Sequence, residues 1–565
     1  MKTYPTRSKL VITFVLAGAL VEPAVAAAAT EAAADPARLS AHVKTLASDA
    51  FEGRGPATPG EQKTVAYLIE QMKTAGLQPG GDLKDGKRAW TQDVPLAQFN
   101  IDGPMELSVT AGGQKRALSQ GKDVAVRAAA TNIDHVQFKD APLVFLGYGV
   151  TAPERKWDDY QGIDMHGKIA IVLVNDPDFE TSSGLFGGRA MTYYGRWTYK
   201  YEEAARHGAL GVLVVHETAP ASYGWATVEN SNTNAIFDIL RPDPRRSHVD
   251  LEAWIQRDVA ASLMKQAGLD FEQLKKQAQS NTFRAVPLKG VTFSANYRVR
   301  RETVVSKNVL GLLPGTTHAD QTVIYTAHWD HLGIGKPDET GDRIFNGAAD
   351  NASGCAALLE LARLFGSAPK TQRSVLFLAV TAEEKGLLGS EYYAANPLYP
   401  LATTVADLNM DHLGLFGRAK DFSTSGSNTL VDELQAAGAK QGRTLSPDPK
   451  PEAGSFYRSD HFPLSKAGVP AISFRPGDDL VNGGKEKGVA LREDFNAKKY
   501  HQPKDEWSES LDFTGEAQDV TLLYNVGRSL ADSTRWPEWK TGSEFKALRD
   551  QSARKRQPGP VDGTR

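Results

Sequence analysis

Five short segments place histidine or carboxylate residues just where apolar runs end. In VIYTAHWDH, His328 and Asp330 lie two residues apart at the end of an apolar run, so an extended chain points them to the same side. A metal-binding imidazole usually donates its second N–H to a carboxylate, and Asp330 is placed to accept it. In NGAADNASGCAALLELAR, Asp350-Asn351 precede a long apolar helix. There they suit a helix N-cap, and equally a carboxylate whose two oxygens each take a cation. RSVLFLAVTAEEKGLLGS sets Glu383-Glu384 just beyond a buried apolar run over 375–380. Neighbouring carboxylates do not easily face one atom, so one can bind a metal while the other faces the water that the metal activates. Two glutamates there are costly unless something positive pairs with them. TTVADLNMDHLG alternates Asp407, Asn409 and Asp411 along an apolar strand, with Asp411 at its end, and KKYHQPKDEW carries His501 in a polar loop.

Singly, each segment also reads as a solvated strand end, a cap or a surface loop. Together, His328, Asp350, Glu384, Asp411 and His501 make a set of two histidines and three carboxylates. That set suits two divalent cations with one bridging carboxylate and open positions for water and substrate. Zinc fits the imidazoles best, with Mn²⁺ or Co²⁺ as substitutes. The chain has a single cysteine, Cys355, which excludes both a disulfide framework and a thiolate zinc site. Cys355 itself reads as a small buried hydrophobe rather than a nucleophile.

The elements that must position these residues follow from texture. Over 36–80, apolar residues recur at helical spacing (Leu39, Val43, Leu46), and a second helical stretch stops at Gly76. APLVFLGYGV and GKIAIVLVNDP predict buried strands, and KYEEAARHGALGVLVVHE predicts helix, glycine, strand. This β-rich module closes near 290, after an amphipathic stretch over 251–278. From about 304, apolar strands of five to seven residues alternate with helices. That alternation predicts an α/β fold whose mostly parallel, mixed sheet is flanked by helices, with sites outside the carboxyl ends of its strands. The tail from Arg549 is polar and reads as disordered.

In the order H-x-D, D-N, E-E, D, H, the chain closely resembles the M28 family of zinc metallopeptidases, which includes bacterial aminopeptidases and the glutamate carboxypeptidase group. FEGRGPATPGEQKTVAYLIEQMKTAGLQP (51–79), SKNVLGLLPG and SDHFPLSKAGVPAISF also match the family's habits. GKIAIVLV and KYEEAARHGALGVLVV look like a protease-associated (PA) domain inserted into the peptidase. The resemblance implies a zinc-peptidase/phosphorylase-like sheet. It implies a 27–134 segment that belongs with the catalytic domain, a PA domain over 135–290 and a catalytic block over 291–540, and the composition adds a polar tail over 541–565. It implies that His328 and Asp411 bind one zinc, that Glu384 and His501 bind the other, and that Asp350 bridges them through a peptide bond to Asn351 that is often cis. Glu383 is then the general base and Asp330 the partner of His328. His412-Leu413 departs from relatives, which often carry an apolar residue and Ile there.

Residues 1–26 read as a cleavable secretory signal: Lys2, Arg7 and Lys9, an apolar run over 10–20, then Ala24-Val25-Ala26. Cleavage after Ala26 shifts the net charge from −3 to −5 and sends the protein to the periplasm or outside the cell. The near-neutral balance argues against nucleic acid, and no later run is long enough to span a membrane. The expected partner is a peptide; oligomeric state is not legible.

The leading expectation is an aminopeptidase. A carboxypeptidase-type relative would need cations for a free carboxylate, and Arg458 and Arg475 are candidates, each also readable as half of a structural ion pair. A non-catalytic receptor-like module, metal-binding or with its metals lost, is the third reading, and the complete ligand set disfavours it. A glutaminyl cyclase fits poorly with the inserted module. A serine hydrolase is disfavoured because the chain has no G-x-S-x-G elbow.

Overall fold

The computed structural model describes residues 1–3 and 33–556. The expected signal segment lies outside the described residues apart from Met1–Thr3, as does the tail beyond 556. Apart from Met1–Thr3, the described residues belong to one compact unit that begins at Ala33.

Four parallel strands, His318–His328, Arg373–Val380, Thr404–Met410 and Ala471–Pro476, build the centre of the sheet. Ile324 pairs with Leu376 on one side and Asp407 on the other, and Leu408 pairs with Ile472. Every residue of Arg373–Val380 and Thr404–Met410 is buried, the pattern of parallel strands covered on both faces. On one face Tyr325 and Phe377 stack at 5.7 Å and meet Phe365 of the helix Ser353–Ser367. Gly527, in the helix Thr514–Ala531, lets that helix close on the sheet, because a Cβ there would lie 1.7 Å from the Tyr325 hydroxyl. On the opposite face Leu310, Ile324, Leu376 and Leu378 pack with Tyr393 and Leu464.

The N-terminal helices belong to this layer. Pro36–Leu46 begins with Pro at its first turn and an Asp35 cap that accepts from the Ala37 amide at 2.9 Å. Pro59–Thr74 ends as expected, with Gly76 at φ 80°. Both pack against Ser353–Ser367.

The β-rich module has its own parallel strands: His135–Phe145, Ile169–Leu173, Gly211–His216 and Leu251–Gln256. Helix Trp197–Arg206 precedes Gly211–His216, the expected helix, glycine, strand. The stretch 251–278 opens as a strand before its two helices, Arg257–Gln266 and Phe271–Gln277. The edge is closed by Val124–Val126, antiparallel to Leu251–Gln256. A long ribbon ties module and peptidase layer together. Thr91–Ala111 pairs with Val286–Leu313 from Thr91↔Val309 to Ala111↔Val291. Val286–Leu313 also pairs with His135–Phe145 early in its length and with Arg373–Val380 at its end. Phe99, Leu107 and Val126 therefore share one core with Leu143, Ile171 and Ile255, and so do Phe293 and Val299. Residues on both sides of the expected boundaries at 134/135 and 290/291, such as Ala130 and Val136 or Leu288 and Val291, contribute to that core, because the ribbon that leads in and out of the module packs with it.

The expectation of a disordered tail from Arg549 is corrected as far as Arg556. Lys546–Arg556 is helical, and Arg549 is 1% exposed. Its guanidinium donates to the carbonyls of Thr404, Val405 and Pro537 at 2.9–3.2 Å. One buried cation satisfying strand-end carbonyls leaves no hydrophobic pattern in the sequence.

Candidate metal centre

All five expected ligands converge at the carboxyl ends of the parallel strands. His328 is the last residue of its strand, Asp411 follows Thr404–Met410, and Glu383-Glu384 follow Arg373–Val380 through Ala382, whose φ is 52°. Asp350 sits in a kinked turn before Ser353–Ser367, and its bond to Asn351 is cis, as the resemblance implied. His501 comes from a loop, at φ 55°.

Asp350 faces both ways. Its Oδ1 lies 3.5 Å from His328 Nε2, and its Oδ2 lies 3.2 Å from His501 Nε2. His328 Nε2 is also 3.2 Å from Asp411 Oδ1, and His501 Nε2 is 3.0 Å from Glu384 Oε2. Glu383 Oε2 stands 4.0 Å from His328 Nε2, facing the centre without joining either triad.

The donor set fits divalent cations. Four carboxylates, Asp350, Glu383, Glu384 and Asp411, crowd together, and among the described residues no Lys or Arg forms an ion pair with any of them. Such a cluster calls for positive charge from elsewhere. His328, Asp350 and Asp411 bring donor atoms within 4.8 Å of one another, as do His331, Asp350 and Glu384. Burial pushes Glu383 well above the usual carboxylate range, with Asp411 and Glu384 adding to the rise against His328. Burial acts the same way on Glu384, but His501 and His331 outweigh it and hold that carboxyl well below the usual range.

Two findings differ from the sequence reading. The Asp330 carboxylate does not accept from His328. The nearest acceptor to His328 Nδ1 is the Asp330 main-chain carbonyl at 3.1 Å, while Oδ1 is 3.8 Å away. The carboxylate instead accepts the amides of Glu383 at 3.0 Å and Glu384 at 3.4 Å, so it holds the Glu-Glu loop. Two converging N–H donors attract a buried carboxylate more strongly than one imidazole edge. Arg458 and Arg475 are in no ion pair among the described residues. Arg458 donates to the Tyr500 hydroxyl at 3.1 Å, Arg475 to Ser455, and both line the cavity that opens onto Asp350, Glu383 and Asp411.

The sequence reading also passed over residues that complete the site. His331 is buried, with Nδ1 2.6 Å from Glu384 Oε1, the oxygen turned away from His501. Its signal was present, in the same HWDH segment. Asn351 ties strand ends together: its amide nitrogen donates to Met410 O at 3.1 Å, and its oxygen accepts from Gly354 and His412. Gly354 allows this approach, since a Cβ would lie 2.3 Å from Asn351 Oδ1. Asp505 accepts from the Ala349 and Asp350 amides, and buried Arg54 donates to the carbonyls of Trp329, Leu46, Asn346 and Gly347. Of the His412-Leu413 departure, His412 packs on Phe495 at 4.4 Å and Leu413 is buried. Cys355 is buried, its thiol pushed up to about 11 by burial, which leaves it inert at neutral pH.

This fold and this site define a class, and the comparisons agree: residues 308–524 match Peptidase family M28, and they form an M28 peptidase domain. Aminopeptidase YwaD of Bacillus subtilis is 24% identical over 449 residues, 77% of this chain and 76% of that protein. A probable zinc metalloprotease of Pyrenophora tritici-repentis is 32% identical over 247 residues, 41% of this chain and 52% of that protein. Among solved structures, the aminopeptidase from Aneurinibacillus sp. strain AM-1 shares the fold, with TM-score 0.52 and 20% identity over 88% of this chain and 94% of that one.

Proposed function

We propose that this chain is an exported dizinc exopeptidase, an aminopeptidase that releases N-terminal residues from peptides. The observation that carries the reading is Asp350, which presents one oxygen to each of two histidine–carboxylate pairs. His328 and Asp411 would hold one ion, Glu384 and His501 the other, with Asp350 shared; Mn²⁺ or Co²⁺ would also be accepted. Bound cations supply polarisation of the scissile carbonyl and acidification of water.

Glu383 is the general base. It faces the centre without occupying a ligand position. It takes the proton of the attacking water and returns it to the departing amine. Asp330 aims it, by holding the Glu383 amide. The relatives named as aminopeptidases support the choice of peptide end. The β-rich module is assigned as a PA domain inserted in the peptidase, and the signal over 1–26 supports a periplasmic or secreted location.

A carboxypeptidase-type specificity is the second reading, favoured by Arg458 and Arg475 lying in the cavity without carboxylate partners. Rates on aminoacyl-arylamides, N-blocked peptides and peptides ending in Glu, each with and without chelator, separate the two. Chelator-sensitive cleavage of the free-amine substrates alone is expected. Preferential cleavage of N-blocked peptides at their carboxyl end would overturn the aminopeptidase assignment.

A further inference from the structure

We infer that Ser231, with Asn230, is a positioning residue through which the β-rich module holds His501 as a ligand; this rests on the dinuclear reading above. His501 has φ 55°, a conformation that a non-glycine residue keeps only where its surroundings impose it. Its Nε2 faces Asp350 and Glu384. Nδ1 therefore points away from the centre, and the partner found there sets the orientation of a ligating imidazole.

The neighbouring carboxylates are occupied: Asp505 accepts the Ala349 and Asp350 amides, and the second oxygen of Glu384 faces His331. The partner comes instead from a residue 270 positions away: Ser231 Oγ lies 2.8 Å from Nδ1. With Nε2 committed to an ion, Nδ1–H donates to that hydroxyl oxygen. Asn230 Nδ2 donates to the His501 carbonyl at 2.9 Å, and Thr227 Oγ1 to that of Tyr500 at 3.4 Å.

All three belong to the helix Trp225–Asn232. Its other side is fixed in the module: Trp225 Nε1 donates to Gly121 O at 2.6 Å, Val228 is in the module's core, and Asn232 Oδ1 accepts from Arg127 at 3.0 Å. One side of this helix is module core and the other grips the ring and main chain of a metal ligand. The module thereby completes the centre, and retention of one ion depends on it.

The test compares the full chain with Ser231→Ala, Ser231→Thr and His501→Ala. Each is loaded with zinc and dialysed against graded chelator, bound zinc is counted by mass spectrometry, and the metal-free proteins are melted by circular dichroism. Wild type should hold two ions. Ser231→Ala should lose affinity for one of them by about 10–100-fold and leave the other unchanged. Ser231→Thr should restore it, and His501→Ala should lose the same ion. Metal-free melting should be the same in wild type and Ser231→Ala. Two ions of wild-type affinity in Ser231→Ala overturn the inference and leave the dinuclear reading standing. A lower metal-free melting temperature that accounts for the loss, with no rescue by Thr, also overturns it. Fewer than two ions in wild type refutes the dinuclear reading itself, and two ions of wild-type affinity in His501→Ala refute His501 as a ligand and the inference with it.

Discussion

His331 Nδ1 lies 2.6 Å from Glu384 Oε1, while the other oxygen of the same carboxylate faces His501 at 3.0 Å. One carboxylate is thus fixed between two imidazoles, one of which the sequence reading named and one of which it did not. His331→Ala should weaken binding of the ion that Glu384 is proposed to hold by about 10–100-fold. His331→Asn, whose amide can still donate, should recover part of it. Zinc titration against a competing chelator measures both; unchanged affinity in His331→Ala would show that the contact has no bearing on the metal.

Glu383→Gln removes the proposed base and keeps the shape. Turnover should fall by about 10²–10⁴-fold while zinc content stays near two per chain. Loss of both ions in this variant would contradict the assignment, because Glu383 would then be a ligand.

A third expectation concerns pH and lies away from the centre. His248 is half-buried between Glu252 at 2.8 Å and Asp238 at 3.0 Å. Burial lowers its pKa, but the two carboxylates outweigh burial and bring it up to about 10. A folded pKa raised above the unfolded value near 6.5 means that the ion pairs stabilise fully below about pH 6.5. The stabilisation is lost as pH rises towards 10. The melting-temperature gap between wild type and His248→Gln should therefore shrink across that window. A gap that is constant from pH 6.5 to 10 would be inconsistent with a charged imidazole.

The terminal helix gives a fourth. Arg549→Ala leaves the carbonyls of Thr404, Val405 and Pro537 without a buried donor. A loss of about 3 kcal/mol is expected by urea unfolding. An effect within about 0.5 kcal/mol, the range of ordinary surface substitutions, would place the helix outside the cooperative unit.

The sequence by itself determined the strands and the residues that end them. Runs such as VLFLAV and VIYTA are apolar without alternation, which only a sheet covered on both faces accommodates. The residues after such runs stand at the sheet's carboxyl edge whatever the details of packing. His328, Glu383, Glu384 and Asp411 were legible for that reason, and Asp350 from its place before the apolar helix.

What only the tertiary structure decided is which atoms meet. Asp330 turned from His328 to the amides of Glu383 and Glu384, because buried oxygens follow the donors that three-dimensional packing brings to them. His331 had its signal in the sequence, but its service to Glu384 depends on two strands lying side by side. Ser231 and His501 are 270 positions apart and have no common pattern. Arg549 opens a polar stretch, yet its guanidinium is buried. Local apolar periodicity records burial along one element. Hydrogen bonds between distant side chains leave no periodicity, so the expected ligands were legible in the sequence while the contacts of Asp330 and Ser231 were not.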